Sequence, residues 1–329
     1  MSMNVQEWMS GEWDGQKYYS PAEWMKGEWN IFFFYELMKL GENACLKFCM
    51  DNGLLAKWYE CPVCGERMKL VDSDGTKVGK VWSCRKRGVN GHQIKRAVRK
   101  GSWFQDSHLS LGVILCLTYM WVNRMTKESI MNDLDLASQT VTDWMNFCRE
   151  VCEDECLAFD GRIGGVGKIV EIDESKFGKR KYNRGRRVEG KWVFGGLLRY
   201  SNECFFEVVD ERSADVLLEV IKRRILPGTT IMSDCWSSYS CLSDEGFKHL
   251  TVNHSVTFVD PDTGAHTNAI EGTWSALKRS LHGTNHVAGE FDAYMAEYIW
   301  RRQNNYRITE KVQRFFGAIS RAFPPPNKD

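Results

Sequence analysis

Apolar residues recur along this chain with two different periods, and the change from one to the other divides it in two. Between Leu109 and Trp121 nearly every residue is apolar, over a stretch too long for an ordinary strand, which predicts a buried helix. Lys127–Leu134 and Ser138–Glu155 carry apolar side chains every three or four positions and predict two more helices, with Ser138 placed as an N-cap after the link Asp135-Leu-Ala. Beyond the glycine-rich joint Gly161–Gly167 the runs become short, β-branched and aromatic: Lys168–Ile172, Trp192–Leu198, Cys204–Val209 and Thr230–Ser233, with a fifth candidate at His249–Asn253. Helical spacing returns at Ala214–Ile225, Trp236–Glu245, Asn268–Leu281 and Glu290–Asn305. Three strands in succession, then strands alternating with helices, predict an α/β fold: a mixed sheet covered by helices.

Charge sharpens this division. The chain has 329 residues and a formal net charge of +1, but residues 1–60 hold nine acids against five bases, whereas 61–105 hold eleven bases against Glu66, Asp72 and Asp74. The second segment has the composition of a phosphate-binding surface. Twelve cysteines spread through ordinary segments argue for a reducing compartment and metal-binding thiolates rather than a disulfide scaffold. No apolar run reaches 18 residues and the amino terminus lacks a signal-peptide pattern, so secretion and membrane insertion are disfavoured. The repeat Glu7-Trp-Met-Ser-Gly-Glu-Trp13 and Glu23-Trp-Met-Lys-Gly-Glu-Trp29 reads as packing in a helical lead-in and is given no chemistry.

Cys61-Pro-Val-Cys64-Gly is a knuckle, in which one tight turn aims two sulfurs at a single tetrahedral ion. Cys84 supplies a third ligand; the residue three positions on is Arg87, so His92 becomes the candidate fourth, giving Cys-x2-Cys-x19-Cys-x7-His and a structural Zn²⁺. A zinc-held hairpin would present Arg85, Lys86, Arg87, Lys95, Arg96, Arg99 and Lys100 to a DNA backbone, since no acid interrupts this run. Cys148, Cys152 and Cys156 recur on one helical face, where small buried side chains explain them better than a metal. The helix pair around Asp135 resembles a helix-turn-helix, with Thr140, Thr142 and Asn146 on its second helix, although any three-helix packing unit has the same outline.

Asp173 stands at the end of an apolar strand, and Asp234 repeats the arrangement before an aromatic segment. Such carboxylates resist burial unless paired or coordinated. Glu271 lies on a helix whose Ile270, Trp274 and Leu277 can dock on the sheet, and Lys278, two turns on, shares nearly its face. Two strand-borne aspartates and a helix-borne glutamate can cage a pair of Mg²⁺ or Mn²⁺ ions for phosphodiester exchange, with Lys278 and Arg279 beside them for DNA phosphate. His254, His266 and Asn268 are possible neighbours of the site. Lys176–Arg187 holds seven bases and no acids, and Lys179, Arg180, Lys181, Arg184, Arg186 and Arg187 are candidate DNA contacts from a loop or hairpin.

These residues carry a resemblance. Cys61-Pro-x-Cys64, Arg99-Lys-Gly-Ser-Trp-Phe104, Glu171-Ile-Asp173-Glu-Ser-Lys-Phe, Trp192-Val-Phe-Gly-Gly196, Ser233-Asp234, Val252-Asn-His254-Ser and His266-Thr-Asn-x-Ile-Glu271-Gly-x-Trp-Ser-x-Leu-Lys278 resemble a Merlin-group transposase, related to bacterial insertion-sequence transposases with an ISXO2-like domain. The resemblance spans Cys61 to Phe316 and departs at Arg87, where bacterial relatives often show a second Cys-x2-Cys. It implies a ribonuclease-H-like catalytic domain with a DDE triad at Asp173, Asp234 and Glu271, and Lys278 as the associated base. It also implies cut-and-paste transposition of a DNA element with terminal inverted repeats. The expected organisation is a Trp-rich helical lead-in (1–57), a zinc-binding basic module (58–104), a helical region (105–160), the catalytic domain (161–316) and a tail (317–329). Double-stranded DNA and a second copy of the chain are the expected partners, and the nucleus the expected compartment in a eukaryotic host, or the cytoplasm and nucleoid otherwise. A domesticated DNA-binding protein and a related metal nuclease or resolvase are the alternatives.

Overall fold

In the computed structural model, which describes residues 28–158, 161–177, 190–253, 259–261, 263–281 and 291–326, the chain divides into two units. The first runs to Val151 and takes up the residues from Tyr306 onward; the second is Cys152–Asn305.

The first unit contains helices α1 (Ile31–Lys39) and α2 (Glu42–Asp51), then strands β1 (Lys69–Asp72), β2 (Lys80–Lys86) and β3 (His92–Ala97) in one antiparallel sheet. Helices α3 (Leu111–Val122) and α4 (Lys127–Leu134) follow, and α5 (Ser138–Ala158) begins in this unit. All of α3 except Val113 is buried, as its continuous apolar run requires, and the Ser110 hydroxyl accepts the Val113 amide at 3.2 Å to start it. The α4–α5 link turns through Asp135 in the left-handed region (φ 49°). Ser138 is not the cap expected of it, because the Val141 amide already bonds Ala137 O at 3.1 Å.

The last helix of the chain, here α9 (Ile308–Ala322), also belongs to this unit. Its Val312, Phe315, Phe316 and Ile319 fall at helical spacing on one buried face. Phe316 meets Trp29 and Phe34 at 5.7 and 5.8 Å between ring centroids, and Phe315 meets Trp121 at 5.1 Å. The boundary drawn at 316 from sequence therefore falls inside a helix that completes the core of the other unit. Among the described residues no helix is long and apolar enough to cross a membrane.

The second unit is built on β5 (Ile169–Phe177), β6 (Lys191–Leu198), β7 (Cys204–Val209), β9 (Thr230–Asp234) and β10 (Lys248–Val252), in the order β10-β9-β5-β6-β7. β5, β6 and β7 pair antiparallel, while β9 and β10 run parallel to β5. This is the mixed sheet of a ribonuclease-H-like fold. Short strands β4 (Ile163–Gly164) and β8 (Ile225–Leu226) form a separate pair.

Helix α6 (Ala214–Arg224) brings Leu217, Val220 and Ile221 to a core with Val170, Ile172, Phe194 and Phe205. Helices α7 (Asn268–Ser280) and α8 (Phe291–Gln303) bring Ile270, Trp274, Leu277 and Met295 to a second core with Val193, Leu197 and Phe206. The alternation of side chains along a strand produces these two faces. Two expectations change here. The helical pattern at Trp236–Glu245 is a 3-10 segment, Ser237–Ser243. β5 does not stop at Ile172 but continues through Asp173 to Phe177, paired with β6.

Candidate active site and metal-binding cluster

The parallel ladder between β5 and β9 ends at Glu171↔Met232. Asp173 and Asp234 each lie two residues further along their strands, at the same level just beyond the paired stretch. The Asp173 Oδ2 accepts the Trp274 indole N–H at 3.0 Å, which turns this carboxylate toward α7. The Asp234 Oδ1 accepts the Trp236 amide at 3.0 Å. Glu271 sits in the first turn of α7, where its Oε1 accepts the Thr267 hydroxyl at 3.2 Å. The structure thus brings all three acids to one locality. Burial raises the Asp173 carboxyl to about 6, and the nearby charges of Asp234 and Glu271 push in the same direction, against bonds from the Glu174 backbone and Trp274.

Gly195 pairs with Asp173 across the β5–β6 ladder. A Cβ there would lie 2.8 Å from the Trp274 ring and 2.8 Å from Phe206. Close approach of the indole requires glycine at 195. Lys278 is exposed at the other end of α7 and stacks its ammonium 5.4 Å from the Phe177 ring centroid, at the end of β5.

In the first unit Cys61, Cys64, Cys84 and His92 present four donor atoms within 4.8 Å of one another. His92 Nε2 lies 3.4 Å from both Cys61 Sγ and Cys84 Sγ, and Cys64 Sγ lies 3.7 Å from Cys84 Sγ. With zinc–sulfur bonds near 2.3 Å and zinc–nitrogen bonds near 2.0–2.1 Å, a tetrahedral ion separates its donors by about 3.5–3.8 Å. The cluster is compatible with a structural zinc. His92 Nδ1 donates to Asn90 O at 3.1 Å, which leaves the Nε2 lone pair for a metal ion shared with the three sulfurs. The knuckle is shaped by Gly65, at φ 71°, whose amide bonds Cys61 O at 2.8 Å. Against desolvation, the backbone N–H groups of Val63 and Cys64 draw the Cys61 thiol down to about 6, ready to ligate as thiolate.

A family model described as the ISXO2-like transposase domain matches residues 160–303. An uncharacterized transposase-like protein of Haemophilus influenzae is 30% identical over 99 residues, which are 30% of this chain and 79% of that protein. The chain belongs to the ISXO2-like transposase family. That family is one of DDE-type transposases related to those of bacterial insertion sequences. Among solved structures, the magnesium-bound catalytic core of HTLV-2 integrase is 15% identical, with 41% of this chain and 84% of that one covered, at a TM-score of 0.26. The Mos1 strand transfer complex is 11% identical, with 65% and 78% covered, also at 0.26.

The basic residues of this transposase separate into groups. Arg85, Arg87, Lys95 and Lys100 are exposed. Lys86 is half-buried and ion-paired with Glu66 at 2.5 Å, and Arg96 lies 4.1 Å over the Tyr59 ring. Arg99, expected at the DNA surface, is instead buried: it donates to Ser107 O and Leu109 O at 3.3 and 2.7 Å and to Glu42 Oε1 at 2.8 Å. Glu42 also accepts the Leu111 amide, so Arg99 joins the finger to the starts of α2 and α3. Arg279 and Asn268 are exposed on α7, and His266 is partly exposed just before it. His254 and the basic residues from Lys179 to Arg187 lie outside the described residues.

Sequence reasoning gave no role to Glu171, Arg199, Glu174 or Tyr239. Glu174 faces the opposite side of the sheet from Asp173, where Tyr239 donates to its Oε1 at 2.5 Å. Burial, opposed by that bond and reinforced by Asp173 and Asp234, raises Glu174 to about 7. The available signal was the strand's period of two: Glu171 and Asp173 must share a face, and Glu174 cannot.

Proposed function

We propose that this transposase binds the terminal inverted repeats of a DNA element and catalyses metal-dependent strand cleavage and strand transfer. The meeting of Asp173, Asp234 and Glu271 at one end of the sheet carries this reading, together with the family. In it, the three carboxylates hold Mg²⁺ or Mn²⁺. Held there, a pair of such ions would supply activation of water or a DNA 3′-hydroxyl and charge stabilisation for the departing oxygen. Trp274 fixes the rotamer of Asp173, Thr267 that of Glu271, and Lys278 offers a cation to the phosphate beside them. The zinc-held module supplies Arg85, Arg87, Lys95 and Lys100 for the DNA backbone, and α4–α5 is the candidate for groove recognition. Two ends must be cut in concert, so a dimer or larger assembly is part of the proposal, as is nuclear residence in a eukaryotic host.

The test is incubation of purified protein with labelled duplex ends and Mg²⁺ or Mn²⁺. Nicking at the element boundary and joining of the 3′-end to target DNA are expected; neither product on the correct ends counts against the reading.

A pH dependence follows from Asp173. With its carboxyl raised to about 6, the metal-free folded state holds this proton more tightly than the unfolded chain does. That contribution to stability is present at low pH and is lost as pH rises through about 6. Metal competes with the proton and restores what was lost, so Mn²⁺ should raise the melting temperature markedly near pH 7.5 and little near pH 5. Equal shifts at both, by differential scanning fluorimetry, would remove Asp173 from the metal site.

A further inference from the structure

We infer that Glu171 and Arg199 are positioning residues that set the place of Glu271, an inference that rests on the function proposed above. Glu171 is on β5, two residues before Asp173 and on the same face, with 0% of its side chain exposed. Its Oε2 accepts the Ala269 and Ile270 amides at 3.0 and 2.9 Å, in the first turn of α7. Its Oε1 accepts Arg199 Nε at 2.6 Å and lies 3.6 Å from His266 Nδ1. Arg199, 8% exposed, reaches from the end of β6 and also donates Nη2 to His266 O at 2.7 Å.

A helix leaves its first amides without partners, and a side chain at the cap position usually serves them. In α7 that position is Thr267, which makes no capping bond; its hydroxyl goes to Glu271 instead. The capping carboxylate comes from the strand that carries Asp173. One rigid strand therefore holds the first acid directly and the start of the helix bearing the third acid through Glu171. A shift of the helix along or about its axis would change the separation of the two acids, to which metal coordination is sensitive. Stability alone is a poor reason for such a pair, because a buried ion pair is often no more stabilising than apolar residues of similar volume.

The test compares Glu171→Gln, Arg199→Lys and the apolar double replacement Glu171→Met with Arg199→Leu, in the full chain. Melting temperature, Mn²⁺ affinity, end-DNA affinity and single-turnover cleavage are measured. Mn²⁺ affinity and cleavage rate should each fall by about 10–100-fold in the double variant, as for other residues that orient metal ligands, with end-DNA affinity within about twofold. The melting temperature should stay close to that of the parent. A double variant that melts, binds Mn²⁺ and cleaves as the parent does would overturn the inference. If neither that variant nor Glu171→Gln folds, Arg199→Lys decides: it keeps the charge but loses the second donor to His266 O, and unaltered Mn²⁺ affinity and rate would overturn the inference. A parent protein that binds no Mn²⁺ in an Asp173-dependent way would instead sink the proposed function itself.

Discussion

Asp173→Asn is expected to lower metal-dependent strand cleavage by about 10³-fold or more, equivalent to some 4 kcal/mol of barrier, while leaving end-DNA binding within about twofold. The size follows from how little else the substitution changes. The amide oxygen can still accept the Trp274 indole N–H, so the ring that packs over Gly195 has no reason to move. What disappears is the charge on the carboxylate that stands level with Asp234. Single-turnover cleavage of labelled ends, read beside a binding isotherm, separates the two effects. A variant that cuts as fast as the parent would remove Asp173 from the chemistry. A parent that binds ends but never cuts would instead describe a domesticated binding protein, for which the substitution is silent.

The second large effect concerns the cysteine cluster. One zinc per chain should copurify, and either chelation or Cys84→Ser should unfold the β1–β3 module and abolish end recognition. Structural zinc in small modules contributes about 10–16 kcal/mol at neutral pH, more than the few apolar side chains of this module can replace. Between Tyr59 and Val98 its buried apolar side chains are Tyr59, Met68, Val78, Val81, Trp82 and Val98, with the ligating Cys61 and Cys84. Loss of the Trp82 environment, seen by fluorescence, should track zinc release measured by elemental analysis. Protein that carries no zinc and melts unchanged as Cys84→Ser would show that the four donors form an ordinary thiol cluster.

The parts of this architecture legible in the sequence are those that local periodicity encodes. Strands β6 and β7 were bounded within a residue because apolar runs end at turn residues on both sides. The knuckle was legible from its spacing, and His92 from being the nearest histidine after Cys84. Long-range placement was not. Arg99 reads as one more base in a basic run, and only the fold sets Glu42 against it. Glu171 reads as a stray acid in an apolar strand until Arg199 and the amides of α7 arrive from elsewhere. The apolar run stops at Ile172 and so predicts a strand ending at Asp173; pairing with β6 carries β5 on for four residues past it. In each case a polar residue takes its meaning from a partner distant in sequence, which no window along the chain contains.

The return of α9 has a consequence for how the molecule is made. Phe34 and Phe316 share one core although nearly the whole chain separates them. During synthesis the segment carrying the sheet leaves the ribosome complete, and can fold, while the helices that preceded it still lack their closing member. Of the two units, the one whose helices are translated earlier is thus the last to be finished. Until α9 emerges its aromatic side chains remain open to the solvent and to chaperones, so an interrupted translation product would forfeit its helical unit before its carboxylates.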